Sequence, residues 1–193
     1  MSDRYYHTKA SVEEYIKMAE GYDGKELIEV FEKYLPTQST LLELGSGPGS
    51  DWQLLSQHFH VIGSDNSKEF IKRLVEKFPV GEFHKLDAST LPIDKTFDGI
   101  YSNKVLHHLT DQELDSSISR QYEILNEGGI ICHSFWEGEG SEVFKGLFVN
   151  YHTEAELTKL LEEKFEILHL EKYKEFEEDD SIFLVARKGV TKE

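Results

Sequence analysis

Three observations predict an α/β fold on a doubly wound, mostly parallel seven-stranded sheet with an antiparallel last strand and helices on both faces. From position 40 onward, short β-like runs alternate with helical patterns. The first apolar run empties into a glycine-rich turn that opens a helix. The last two runs are separated only by an acidic stretch, 175–180, which reads as a solvated hairpin loop with Phe176 inside it.

The strands are expected at 40–44, 60–64, 82–86, 97–102, 129–135, 165–171 and 181–187, and the helices between them at 51–58, 67–78, 111–125 and 153–163. The third helix shows the clearest periodicity: Leu114, Ile118, Tyr122 and Leu125 form one apolar stripe. Before the first strand come helices over 11–20 and 24–35, the second ended by Pro36. Hydroxyl caps with an acid three residues on, Ser11 with Glu14 and Thr153 with Glu156, are expected to open the first and last helices. Seven strands in under 150 residues leave no space for a second domain, so 1–193 is expected to be one unit: a helical lid over 1–38 and a core over 39–193.

With 37 Asp and Glu against 21 Lys and Arg, the net charge of −16 disfavours nucleic acid, whose binding draws on cations to neutralise phosphates. Anionic membrane surfaces are disfavoured by the same repulsion. No apolar run approaches the roughly 20 residues that cross a bilayer. At 38% hydrophobic and 12% aromatic residues the chain can still build a core. The single cysteine, Cys132, allows no intramolecular disulfide, and the amino terminus lacks a secretory signal, so a cytoplasmic location is expected. No metal site is expected.

The most informative segment is Glu43-Leu44-Gly45-Ser46-Gly47-Pro48-Gly49-Ser50-Asp51, a strand running through three alternate glycines into a helix. Open α/β sheets bind nucleotide-like ligands at this place. Asp65 closes the second strand, 20 residues past Gly45. A carboxylate there can accept both hydroxyls of a ribose, and hydrogen bonds to a charged group contribute about 1.5–3 kcal/mol each. Glu43 would repel a pyrophosphate and attract an ammonium group. A nicotinamide-dependent oxidoreductase would want glycine at position 50 and no acid at 43, whereas the sequence has Ser50 and Glu43.

These segments, followed by Leu86-Asp87-Ala88, then 97–103 with Leu106-His107-His108-Leu109, then Leu125-Asn126-Glu127-Gly128-Gly129, resemble the class I S-adenosylmethionine-dependent methyltransferases of the small-molecule type in order and spacing over about residues 20–135. The resemblance implies a Rossmann-like core and S-adenosyl-L-methionine as cofactor, leaving S-adenosyl-L-homocysteine as product. It implies that the turn from Gly45 and Ser46 through Gly47 to Gly49 passes under the methionine, with Glu43 near its amino group. It further implies Asp65 and Asn66 at the ribose, Asp87 and Ala88 at the adenine, and Asn103 beside the methyl group. Tyr22, in a Tyr-Asp pair similar to the family's, would cover the cofactor. The expected activity is in-line methyl transfer to a small-molecule acceptor. A catalytically silent cofactor-binding subunit is the alternative, because this chemistry requires no unique side chain.

His107 and His108, at the carboxyl edge of the fourth strand, are the base candidates, since histidine titrates nearest working pH. His133, within the fifth strand, reads as a core residue. The aromatic run Tyr5-Tyr6-His7 can fold over the site as a lid. The fourth strand is followed by Asn103-Lys104-Val105 without the Asn-Pro-Pro-Tyr motif of the resembling amino-group methylases, and Cys132 lacks the neighbouring proline of cytosine C5 chemistry. Only 136–152 separates the fifth and sixth strands, too short for a large acceptor-binding cap. The sequence does not set the oligomeric state, although so little cap leaves room for the second subunit of a homodimer to complete the site.

Overall fold

In a computed structural model describing residues 6, 8–144 and 146–189, apolar residues on both sides of each central strand dictate a sheet covered on both faces. In β1, Thr40–Leu44, Leu41 enters one core cluster while Leu42 and Leu44 enter the other. The same alternation runs through β5, Leu125–Trp136, and β9, Ser181–Lys188. The remaining strands of the main sheet are β2, His60–Asp65, β3, Glu82–Lys85, β4, Phe97–Asn103, and β8, Phe165–Tyr173. Their order is β3-β2-β1-β4-β5-β9-β8, parallel from β3 to β5, with β9 antiparallel to both of its neighbours.

Helices α2, Lys25–Phe31, and α3, Ser50–Leu55, cover one face through Ile28, Phe31, Trp52 and Leu55. On the other, α5, Asp111–Ile124, and α6, Glu154–Leu161, bury Leu114, Ile118, Leu157 and Leu161. Helix α4, Lys68–Lys77, follows β2, and α1, Lys9–Met18, precedes the sheet. Of the region expected as a lid, α2 therefore packs into the core. No helix among the described residues is long and apolar enough to cross a membrane.

Two local expectations are corrected, and two features appear that the sequence did not announce. The first helix is capped by Thr8, whose Oγ1 accepts from the Ser11 N–H, so Ser11 lies inside the helix and is not its cap. A capping box not expected from the sequence, Thr110 with Glu113, opens α5, and the Thr153–Glu156 box opens α6. Strand β5 begins at Leu125 because Phe97 pairs with Leu125 before the register shifts to Gly99 and Ile130. The 136–152 stretch holds a two-stranded hairpin, β6, Ser141–Phe144, and β7, Leu147–Asn150.

Parallel register brings the carboxyl ends of β1, β2 and β4 to one edge. Leu44 pairs with both Ser64 and Ser102, so Gly45, Asp65 and Asn103 emerge side by side.

Candidate active site

The turn after β1 has left-handed backbone at Gly45, φ +69°, and at Gly49, φ +84°. A Cβ at Gly45 would fall 2.4 Å from Cγ2 of Val105, so the tight reversal beside β4 requires glycine. At Gly49 a Cβ would strike Phe78 and Leu74 at 2.7 and 2.8 Å. This glycine lets α3 approach α4 and lines neither cavity described below.

Asp65 braces the turn. Its Oδ2 accepts from the Gly47 N–H at 3.0 Å and its Oδ1 from the Ser67 N–H at 2.8 Å. Ser46 Oγ accepts from the Ser64 N–H at 3.1 Å and donates to Glu43. Glu43 is 2% exposed. Burial, reinforced by the charge of Asp51, pushes its carboxyl up to about 8 despite the Ser46 hydrogen bond.

Two cavities meet over this edge. The first, about 200 Å³, is lined by Gly45, Gly47, Asp65, Asn66, Asp87, Ala88 and His108, with Leu147 of the hairpin on one side. Tyr6 and Tyr15 form an aromatic wall, their rings 5.3 Å apart and perpendicular, with Tyr6 also 6.0 Å from His108. Tyr5 and His7 lie outside the described residues. Asp87 also caps its own turn, accepting from Ser89 N–H and Oγ. The second cavity, about 350 Å³, is lined by Tyr22, Glu43, Ser46, Asp51, Trp136, Glu175 and Phe176. Tyr15, Gly45, Gly47, Asn103 and Lys104 line both.

At this junction Asn103 is held from two sides, its Nδ2 donating to Asp51 Oδ2 at 3.1 Å and its Oδ1 accepting from Ser134 Oγ at 2.6 Å. Asp51 also accepts from the Tyr101 hydroxyl at 2.8 Å and the Gly24 N–H at 2.7 Å. Lys104 has φ +54°, a backbone conformation that costs a residue with a Cβ roughly 1–2 kcal/mol. Its Nζ donates to the Phe135 carbonyl and to Ser181 Oγ and lies 3.6 Å from the Trp136 ring centre. Burial lowers it to about 7, against the pull of Glu175 and Asp180.

The histidines separate. His108 donates from Nδ1 to the Phe148 carbonyl at 2.7 Å, which leaves Nε2 the basic nitrogen of the neutral ring, and burial lowers its pKa. His107 is 3% exposed behind it and lines neither cavity. His133 is fixed between Ser102 and Gln121, and burial lowers it to about 3.

Sequence reasoning did not reach Tyr15, Asp51, Lys104, Trp136, Glu175 or Phe176 as site residues. The acidic loop is largely exposed, as expected, and it also carries Phe176 against Trp136 and Tyr22. A lone aromatic within an acidic run was the available signal.

The donor set fits a cationic nucleoside: a buried carboxyl with no cation partner among the described residues, a glycine cradle, and carboxylates at the end of β2 and after β3. Residues 41–129 match the family model described as a methyltransferase domain. A trans-aconitate 2-methyltransferase of Variovorax paradoxus is 34% identical over 51% of this chain and 39% of its own length. An uncharacterized methyltransferase of Alkaliphilus oremlandii is 29% identical over 82% of this chain and 77% of its own. The crystal structure of Burkholderia thailandensis 1,6-didemethyltoxoflavin-N1-methyltransferase, with its acceptor and S-adenosylhomocysteine, superposes with a TM-score of 0.73 at 20% identity, covering 93% of this chain and 88% of that one. The match to the Variovorax enzyme spans well under two thirds of that enzyme. With the sheet order and the glycine-turn cleft, the family match over 41–129, the methyltransferase relatives and the fold similarity together support a class I S-adenosylmethionine-dependent methyltransferase.

Proposed function

We propose that the protein methylates a small-molecule acceptor, with the cofactor lying across the carboxyl edge of β1, β2 and β4. The observation that carries this reading is the meeting of the two cavities at Asn103, Lys104 and Tyr15. One cavity has the donors for a nucleoside and the other is open to an acceptor.

Asp65 and Asn66 are assigned to the ribose, Asp87 and Ala88 to the adenine, and Gly45, Ser46 and Gly47 to the underside of the methionine. Glu43 faces the amino group, where a cation would draw its carboxyl into the charged form. When bound, the cofactor supplies a methyl group on a sulfonium, already activated for displacement. The chain's task is then positioning, an effect that reaches about 7–11 kcal/mol in favourable cases. Asn103, fixed by Asp51 and Ser134, orients the junction. Tyr15 separates it from water, and Tyr22 covers the mouth. His108 lines the nucleoside cavity and not the second, so it is not assigned as the base for an acceptor held there; His107 lies buried behind it.

The test is incubation with methyl-labelled S-adenosylmethionine and a metabolite extract. Label is expected in the low-mass fraction. Cofactor binding without any labelled small molecule contradicts the proposal.

A further inference from the structure

The second cavity narrows the acceptor. We propose that it takes a planar, basic nitrogen heterocycle and rejects polycarboxylates, with the exposed rings of Tyr22 and Phe176 flanking the acceptor, Trp136 backing Phe176, and Glu175 beside its nitrogen. The inference rests on the methyltransferase reading above and deepens it.

The first support is the aromatic wall. Tyr22 and Phe176 are 52% and 58% exposed, yet their rings lie 5.6 Å apart at the cavity mouth. Phe176 stacks on Trp136, with centroids 5.7 Å apart and planes inclined by 20°. Large apolar rings left this open beside a cavity mark a surface that a ligand covers, and planar ligands cover ring faces best. The volume of about 350 Å³, shared with the methionine end, limits the acceptor to a small molecule.

The second support is that the wall is built in advance. The Asp180 carboxylate accepts from the N–H groups of Glu175, Phe176 and Glu177 at 2.8, 2.9 and 2.9 Å. The loop holding Phe176 is therefore fixed before any acceptor arrives, which reduces the ordering cost of binding.

Charge supplies the third. Asp23, Glu43, Asp51 and Glu175 line the cavity, against one lysine. Lys104 is already committed to the Phe135 carbonyl, Ser181 Oγ and the Trp136 ring face, and an ammonium has three donors. A carboxylate entering here meets Asp23, Asp51 and Glu175, with Glu43 either neutral or paired to the cofactor's ammonium, and a lysine with its donors in use. The cavity thus differs in kind from what a trans-aconitate acceptor needs, although relatives of this chain carry that name.

The chemistry agrees. An acceptor nitrogen, once its proton has passed to solvent, forms the new C–N bond with its lone pair as the C–S pair returns to sulfur, and the positive charge moves from sulfur to nitrogen. Ring faces and a carboxylate stand where that charge develops.

Titration calorimetry on protein saturated with S-adenosylhomocysteine separates the possibilities, with 4-aminoquinoline, 1-naphthoate and trans-aconitate as probes. The expected result is 4-aminoquinoline binding at least about tenfold tighter than 1-naphthoate. Phe176→Ala and Glu175→Gln should each weaken it by about tenfold while S-adenosylhomocysteine binds unchanged. Equal or tighter binding of either carboxylate overturns the inference, as does absence of 4-aminoquinoline binding to the saturated protein. Failure of S-adenosylhomocysteine itself to bind overturns the methyltransferase reading and this inference with it.

Discussion

Glu43 is a carboxyl buried in a strand end with the charges of Asp51 and Asp65 for neighbours and, among the described residues, no cation acting on it. Its folded pKa of about 8 stands above the ordinary 4.5, so the folded chain binds a proton that the unfolded chain has already lost in that interval. The stability this group contributes is complete below 4.5 and is lost as pH rises through 8. Glu43→Gln should remove that slope, so the gap in melting temperature between the variant and the parent should move in the variant's favour from pH 5 to pH 9. A gap that stays constant contradicts the assigned protonation. In the bound state a cation at Glu43 reverses the preference, and S-adenosylhomocysteine binding should release protons at pH 7. Asp65 gives a second prediction: Asp65→Asn, which keeps an oxygen for one of the two amides that Asp65 accepts, should weaken S-adenosylhomocysteine by at least about tenfold in calorimetry, and unchanged affinity would place the ribose elsewhere. Both residues were legible in the sequence because each sits at the end of a strand beside a glycine turn. Asp51 and Lys104 were not, because their roles come from partners as distant as Asn103 and Ser181, and only the folded sheet brings those within 3.1 Å.

Among the elements, the β1 turn and the strands were readable because glycine spacing and period-two apolar patterns act locally. The start of α1 was misread, since Thr8 and Ser11 both carry the hydroxyl that caps a helix and only backbone geometry selects between them; α5 starts at Asp111 as expected, with its Thr110 cap unforeseen. The acidic loop was read as solvated because five of its six residues are charged; its order comes from the three amides gathered by Asp180. Burial alone would raise that carboxyl, but these hydrogen bonds hold it at about 2. Asp180→Ala should therefore speed amide exchange at 175–177 by about tenfold or more while leaving β1 and β4 protected. Uniform exchange across the molecule would mean that the loop is not held by this side chain. The hairpin β6–β7 escaped notice because its strands are short and largely exposed, although Leu147 reaches the nucleoside cavity.

At the scale of the molecule, a sheet buried on both faces fixes one edge at which β1, β2 and β4 end together, and every donor assigned to the cofactor lies on that edge or in the loops leaving it. The net charge of −16 acquires a local meaning there, with Glu43, Asp51, Asp65 and Asp87 around the two cavities. Helix α1 adds the aromatic cover and α2 belongs to the core, so the acceptor cavity owes its own wall mainly to Trp136 and the 175–176 loop. The measurement that bears most directly on this arrangement is thermal unfolding of the full chain with S-adenosylhomocysteine or NAD at millimolar concentration. S-adenosylhomocysteine should raise the melting temperature by several degrees while NAD leaves it unchanged, since a ligand at about a hundred times its Kd adds about 2.7 kcal/mol. No shift with S-adenosylhomocysteine, or an equal shift with NAD, would contradict the assignment of the cleft.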